Sequence, residues 1–265
     1  MKKKIKISHE VPFCLLDYSR EFNDYDYCLP HLLDQSDKYK AYFLQSKEEG
    51  RYIVMDNSLH ELGKAYNTER LLYWIKVLNP NEFIVPDVWE NKTASVVNAR
   101  AWSKVELPGS VTKVAVVQAK SFADALECTY IYKDLGYKKI AYSYGASYYN
   151  KIVDHPNKNL GKALGRVKVI TDLYKKGILT PYDRVHLLGC QVPQEFAWYQ
   201  GIECIESIDT SNPIMAALDG NAIEFYGLNE KPKANMNDYQ DIAIEKVDLE
   251  LIDNNIEMFR LINNL

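Results

Sequence analysis

The sequence predicts an α/β protein folded as a single (β/α)8 TIM-type barrel spanning residues 1–265. Eight short apolar segments alternate with amphipathic segments of helical period, which is typical of a parallel sheet wrapped by helices. Several apolar segments end in one acid or amide, and barrel strands bring their carboxyl ends to one mouth. No stretch rich in proline, glycine or serine divides the chain, so we expect one domain. A doubly wound sheet is the alternative.

The elements follow from the spacing of apolar residues. Short apolar runs bounded by polar residues predict strands; they lie at residues 4–8, 41–45, 51–56, 82–87, 113–118, 139–143, 185–189 and 204–209. Apolar residues recurring every three or four positions predict helices at 69–78, 121–135 and 162–176, and a closing helix at 239–265. Residues 228–237 contain Pro232 among polar neighbours and predict a loop.

Composition limits the class of protein. Hydrophobic residues make up 47% of the chain, which indicates a packed globular core. The net charge of -4 does not indicate a nucleic-acid binder but leaves room for a local basic face. The five cysteines are odd in number and lack Cys-x-x-Cys spacing, which favours reduced thiols in the cytoplasm. We expect no signal peptide and no membrane span.

Four strand ends carry the candidate chemistry. Asp56, Asp87, Gln118 and Asp209 each follow or complete an apolar run, so a barrel would gather them at its mouth. Paired carboxylates are the usual equipment for breaking a glycosidic bond. In that chemistry Asp209 would attack an anomeric carbon as a nucleophile, and Asp56 would act as a general acid and base or contact a substrate base.

Structural alternatives exist for the same residues. Asp209 and Asp56 could each cap a following helix, and Glu206 competes with Asp209 as the nucleophile. Asp87 lies beside apolar neighbours, where an acid is costly unless it is paired, and it could accept hydrogen bonds from a ring N–H and an exocyclic amine. Gln118 could do similar work or simply satisfy backbone groups.

Five segments in colinear order resemble motifs of the tRNA-guanine transglycosylase superfamily. Residues 186–196 (HLLGCQVPQEF) are similar to the family's turn ending in Gly-x-Gly-x-Pro-x-Asp/Glu, and the strand ending at Asp209 follows in the same order. Residues 117–118 (VQ) resemble the family's Val-Gln-Gly strand end. Residues 55–58 (MDNS) and 85–87 (VPD) resemble its two other aspartate segments.

This resemblance, covering roughly residues 50 to 215, implies a barrel that exchanges guanine in a nucleic acid for a 7-deazaguanine. Carried over by position, Asp209 would be the nucleophile and Asp56 the acid and base. Asp87 and Gln118 would hold the purine edge. The backbone of Ser143, Tyr144 and Gly145 would contact the base, as would the turn at Gly189. The resemblance implies neither a cofactor nor a metal for the reaction.

The departures from the family favour one branch of it. The family's tRNA enzymes carry a zinc subdomain with a Cys-x-Cys-x-x-Cys motif, and this chain has no cysteine after Cys204, so we expect that subdomain to be lacking. A compact barrel of this kind is most similar to the phage-type enzymes that place 7-deazaguanines in DNA. Such an enzyme would work in the cytoplasm, or in the host cytoplasm if phage-encoded, and the resemblance leaves a homodimer open.

A basic stretch offers a surface for the phosphate backbone. Residues 151–184 contain eight Lys or Arg against three acids, among them the predicted nucleic-acid contacts Lys151, Lys158, Lys162 and Arg166. A solvated helix face explains the stretch equally well. Tyr142, Tyr144, Tyr148 and Tyr149 precede it and could stack on bases or pack in the core.

Three further functions stay open. The same exchange could act on tRNA. The chain could instead be a non-catalytic subunit that binds nucleic acid or a sister enzyme, although retention of all four strand-end residues argues against that. It could also be an unrelated lyase or glycosidase acting on a small molecule.

Overall fold

The computed structural model describes residues 4–233 and 235–265, which form a nearly closed barrel of eight parallel strands with interleaved helices. The strands are β1 (Lys6–Ser8), β2 (Asp26–Cys28), β3 (Ile53–Met55), β4 (Glu82–Ile84), β5 (Thr112–Val117), β6 (Lys139–Ser143), β7 (Val185–Leu188) and β8 (Ile205–Asp209). Their order is β1-β8-β7-β6-β5-β4-β3-β2. The predicted (β/α)8 TIM-type fold is therefore confirmed.

Helices follow most of the strands and cover the outside of the barrel. They are α1 (Pro30–Gln35), α2 (Asp37–Glu48), α3 (Leu59–Leu62), α4 (Thr68–Leu78), α5 (Lys92–Ser103), α6 (Phe122–Asp134), α7 (Tyr149–Ile152), α8 (Lys158–Lys175), α9 (Asn212–Leu218) and α10 (Leu249–Asn263). Within the described residues, none of these helices has both the length and the apolar character needed to cross a bilayer.

One predicted strand is wrong and one strand was missed. Residues 41–45 lie inside α2, where the Ser36 side chain caps the helix by accepting the N–H of Tyr39. Tyr39, Tyr42 and Phe43 of this helix are buried with helical spacing. The strand in this part of the barrel is β2, which pairs with β3.

The other predicted strands and three predicted helices coincide with observed elements. The closing helix is shorter than predicted, because α10 begins only at Leu249. Residues 239–248 before it include a single 3-10 turn at Ile244–Lys246.

Alternation along the strands divides the core into an inner and an outer part. Tyr25, Val54, Ile84, Val114, Val116 and Ala141 form a small apolar cluster inside the barrel. Their strand neighbours, such as Met55, Phe83 and Ala115, join the much larger core between strands and helices. Successive side chains of a strand point to opposite faces, so alternate residues of each strand enter the barrel interior. The same alternation decides which polar residues face inward.

Two side chains and one backbone hydrogen bond connect the ends of the sheet between β1 and β2, which stand at the two ends of the strand order. The Asn23 side chain accepts the backbone N–H of His9 at 2.6 Å and donates to the carbonyl of His9 at 2.9 Å. Asp24 donates its N–H to the carbonyl of Ile7 at 2.9 Å, and its carboxylate accepts the N–H of Ile7 at 2.9 Å.

Arg166 clamps the carboxyl ends of β6 and β7 from inside the protein. Its guanidinium donates to the carbonyls of Tyr142, Leu188 and Gly189, and it pairs with Glu195 at 2.6 Å. Both side chains of this ion pair are essentially inaccessible to solvent. The prediction that Arg166 contacts a nucleic acid is therefore wrong, because no phosphate can reach the side chain.

Replacing Arg166 by Met should lower the free energy of unfolding by about 3–5 kcal/mol, because Glu195 would keep a buried charge without its cation. Urea unfolding followed by circular dichroism measures the loss. Adding Glu195→Gln to Arg166→Met should recover part of it. A double variant no more stable than the single one would show that the ion pair is not the source.

Candidate active site

A cavity of about 620 Å³ opens at the carboxyl ends of the strands. The four strand-end residues Asp56, Asp87, Gln118 and Asp209 all line it. Ser143, Tyr144, Gly145 and Gly189 line it too, as do two residues, Glu10 and Lys231, that the sequence did not single out. The structure therefore brings together every residue predicted to bind the base or to carry the chemistry.

Asp209 is the last residue of β8 and lies between two neighbouring strands, opposite Ser8 of β1 and Leu188 of β7. Its Oδ1 lies 2.9 Å from Nε2 of His186 and accepts the N–H of Gly189 at 3.4 Å. The following helix, α9, has Ser211 at its cap position, and no side chain caps it. The alternative that Asp209 is a helix cap is therefore wrong.

Glu206, the competing nucleophile, is engaged at the opposite end of the barrel. Its carboxylate accepts a hydrogen bond from Nε of Arg184 at 2.6 Å and lies 3.6 Å from Nζ of Lys139. Glu206 does not line the cavity. Asp209 is thus the carboxylate that β8 presents at the mouth.

Asp56 follows β3 directly and is held by its own turn. Its N–H continues the ladder to the carbonyl of Cys28 at 2.9 Å, and its Oδ2 accepts the N–H of Ser58 at 2.9 Å. Ser58 adopts a left-handed conformation with φ of 60°. The cap position of α3 belongs to Ser58, and no side chain caps this helix, so the alternative that Asp56 is a helix cap is wrong. Asp56 instead closes the turn before α3 and lines the cavity.

Two amides orient Asp87. Nδ2 of Asn57 donates to one carboxylate oxygen at 2.7 Å, and Nε2 of Gln118 donates to the other at 2.7 Å. The Gln118 carbonyl accepts the N–H of Glu90 at 2.9 Å, which ties the loop after β4 to β5. The suggested role of satisfying a backbone group is thus confirmed, and the structure adds a second role, since Gln118 also orients Asp87.

Tyr144 and Trp89 supply aromatic walls. A Cβ on Gly189 would lie 2.4 Å from the Tyr144 ring, so the glycine lets this ring lie against the backbone. The Tyr144 hydroxyl lies 3.3 Å from Nε2 of His60, and Nζ of Lys231 lies 4.6 Å from the Tyr144 ring centre. Gly145 faces Trp89, and a Cβ added at this glycine would lie 3.9 Å from the indole.

The three other predicted stacking residues pack in the core. Tyr142, Tyr148 and Tyr149 are buried, and Tyr149 donates its hydroxyl to the carbonyl of Ser143 at 3.0 Å. Tyr144 is the one of the four that lines the cavity. The core-packing alternative therefore holds for the other three.

Burial governs the protonation of the carboxyls in the cavity. It raises the pKa of Asp87 from 3.8 to about 7, although the amides of Gln118 and Asn57 oppose the shift. Burial also raises the pKa of Asp56 and of Glu10, and the negative charge of Asp209 adds to both shifts. Several acids with raised pKa values around one cavity are typical of a site that moves protons near neutral pH.

Sequence reasoning missed Glu10, Tyr27, Asn57, His186 and Lys231. His186 occupies an inward-facing position of a buried strand, and a polar residue at such a position is the signal that could have identified it. Glu10 lies just past the end of β1, as Asp56 and Asp87 do for their strands. Lys231 comes from the predicted loop and carried no signal of its own.

The basic residues differ in how they lie around the mouth. Lys162 lines the cavity. Lys151 and Lys158 are exposed on the segments that follow β6, and Lys158 pairs with Asp154 at 2.8 Å. Burial lowers the pKa of Lys231, and the charge of Lys162 nearby adds to the decrease. The mouth therefore combines an acidic floor with two lysines at its rim.

No known protein family model matches this chain, and a search of curated proteins found no match either. Among residues 4–233 and 235–265, no group of three or more His, Cys, Asp or Glu side chains is arranged to hold a metal ion.

The raised pKa of Asp87 predicts a pH-dependent stability. Between pH 3.8 and about 7 the folded carboxyl keeps a proton that the unfolded chain loses. The folded state then binds more protons, so the free energy of unfolding should fall as the pH rises through this window, by at most about 1.4 kcal/mol per pH unit. Asp87→Asn should remove this part of the slope. Urea unfolding of both proteins from pH 5 to pH 8 tests it, and parallel curves would contradict it.

Proposed function

We propose that this protein is a guanine transglycosylase that exchanges guanine in DNA for a 7-deazaguanine through a covalent bond between Asp209 and the sugar. The proposal depends on two carboxylates that line one cavity. Asp209 accepts its hydrogen bonds through one oxygen, and Asp87 accepts hydrogen bonds from two side-chain amides. The first suits attack on a sugar, and the second suits recognition of a purine edge.

Asp87 would hold the base. Guanine presents a ring N–H and an exocyclic amine side by side, and a carboxylate accepts such a pair of donors. Each oxygen of Asp87 already accepts one amide N–H, at 2.7 Å, which fixes the plane of the carboxylate and leaves lone pairs for the base. Trp89 and Tyr144 line the same cavity and offer ring faces for stacking.

In the first step Oδ2 of Asp209 attacks C1′ of a nucleotide that has left the DNA stack. The C1′–O bond forms as the C1′–N9 bond breaks, and the bonding electron pair leaves with the guanine. Asp56 gives the departing base its proton. The raised pKa of Asp56 supports this role, because burial favours the protonated acid.

In the second step the 7-deazaguanine occupies the position that guanine has left. Its ring N–H gives a proton to the Asp56 carboxylate, and the nitrogen attacks C1′. The C1′–O bond breaks, and its electron pair returns to Asp209. Two displacements at one carbon retain the anomeric configuration, and Asp56 ends with the proton it began with.

The rim supports a polymeric substrate. Lys162 and Lys231 lie beside an acidic cavity, where they can neutralise phosphates flanking an extruded nucleotide. A free base or a small sugar would carry no phosphate for these lysines to neutralise. The same exchange on tRNA is the alternative, and a direct comparison of the two polymers distinguishes them.

Isotope-labelled guanine should enter duplex DNA in the presence of the protein, and unmodified tRNA should stay unlabelled. Asp209→Asn should lower incorporation at least ~10³-fold, because the amide cannot form the sugar ester. Asp134→Asn makes the same chemical change at an exposed position on α6 and serves as the matched control. Label in tRNA alone would favour the alternative, and full activity of Asp209→Asn would reject the mechanism.

Reversing the charge at Lys162 should weaken DNA binding and make its salt dependence shallower by about one unit of log–log slope, because one phosphate contact is lost. Fluorescence anisotropy at several salt concentrations measures both quantities. Lys175→Glu is the matched control, since Lys175 is exposed on the same helix about 20 Å from Lys162. Equal losses in the two variants would indicate only a general effect of net charge.

A further inference from the structure

We infer that His186 is a positioning residue for Asp209, held in one tautomer by a hydrogen-bond chain that begins at the buried Lys139. The inference rests on the proposed role of Asp209 as nucleophile, but the tautomer itself can be measured without any reaction. Lys139, Ser207 and His186 lie inside the barrel below the cavity, and none of them takes part in the proposed reaction steps.

This hydrogen-bond chain crosses the barrel interior through three short contacts. Nζ of Lys139 donates to Oγ of Ser207 at 2.6 Å, and this hydroxyl lies 2.8 Å from Nδ1 of His186. Nε2 of His186 lies 2.9 Å from Oδ1 of Asp209. Lys139, Ser207 and His186 are each at most 3% exposed, so water does not compete for these bonds.

The chemistry of Lys139 fixes the direction of the chain. An ammonium group can only donate, so the Ser207 hydroxyl accepts a hydrogen bond from Lys139 and keeps its own hydrogen to donate. Among the described residues, Nδ1 of His186 is the other hydrogen-bond partner of this hydroxyl, so we assign the hydrogen to the bond with Nδ1, which is then the unprotonated nitrogen. The proton of the neutral imidazole is therefore on Nε2, and it is donated to Asp209.

Charged groups flank the imidazole on both sides. Lys139, whose hydrogen bond Glu82 accepts at 2.7 Å, faces Nδ1 across the Ser207 hydroxyl, and the Asp209 carboxylate faces Nε2 at 2.9 Å. An unprotonated Nε2 would direct its lone pair at a carboxylate oxygen, so this arrangement favours a proton on Nε2.

The result is a carboxylate with two different oxygens. Oδ1 of Asp209 engages both His186 and the N–H of Gly189. The hydrogen bonds given to Asp209 by the described residues thus converge on Oδ1, and Oδ2 remains for the substrate. The Tyr27 ring lies nearly parallel to the imidazole, at 11° and 6.2 Å between ring centres. Orientation of this kind lowers the barrier to attack.

A long-range proton–nitrogen NMR correlation identifies the tautomer directly. The His186 signals are assigned by their disappearance in His186→Gln, among the five histidines of the chain. We expect a proton on Nε2 and none on Nδ1. A ring protonated on Nδ1, or on both nitrogens, would overturn the inference whether or not the protein exchanges bases.

Kinetics then test the positioning role. His186→Leu should lower kcat for exchange ~100-fold while the KM for the base and the Kd for DNA stay within about twofold. His186→Gln places an amide N–H near the position of Nε2 and should recover kcat to within ~10-fold of the original protein. A structural role alone would not be rescued in this way. Thermal melting of both variants checks that they are folded, and Ser207→Ala, which keeps the imidazole, should lower kcat in the same direction.

The outcomes separate the two proposals. Exchange by the original protein with an unchanged kcat in His186→Leu would overturn the inference and leave the proposed function standing. No exchange by the original protein would reject the proposed function, and the NMR measurement would still decide the direction of the chain.

Discussion

The ion pair between Lys139 and Glu82 is the interaction on which the interior of the barrel depends. Both side chains are almost completely buried, and a buried charge is tolerated only when it is paired and hydrogen-bonded. Arg184 extends the pair by bonding both Glu82 and Glu206, so two cations balance two carboxylates at the amino end of the barrel. This charged layer holds the Lys139 ammonium so that it donates a hydrogen bond to Ser207. The orientations of Ser207, His186 and Asp209 follow from that bond.

At the opposite end, carboxyls of similar type are held in different ways. Asp209 is bonded by an imidazole, Asp87 by two side-chain amides and Asp56 by a backbone N–H of its own turn. Burial raises the pKa of both Asp56 and Asp87, so it is the hydrogen-bond donors around each acid that distinguish them. The different roles that we propose for the three acids therefore follow from their different hydrogen-bond partners.

Much of the architecture could be predicted from the sequence, because apolar runs and their polar ends repeat from strand to strand. The failures have physical causes. The run at 41–45 is too short for its period to distinguish a strand from a buried helix face, and β2 contains only Asp26–Cys28. Arg166 was predicted to be a surface contact because a charged residue in a sequence gives no sign that its side chain is buried. His186 acquires its role from Ser207 and Lys139, which lie on two other strands, and only the closed barrel brings them together.

The closure between β1 and β2 has a consequence for how the fold withstands mutation. The pairs of neighbouring strands in the sheet are joined by backbone groups, which every substitution preserves except one to proline. The last junction has one backbone hydrogen bond, from the Asp24 N–H to the Ile7 carbonyl, and otherwise relies on the amide of Asn23 and the carboxylate of Asp24, which a single substitution can remove. A substitution at Asn23 or Asp24 therefore removes hydrogen bonds at this junction, whereas the hydrogen bonds between the other strands do not depend on which side chains the strands carry.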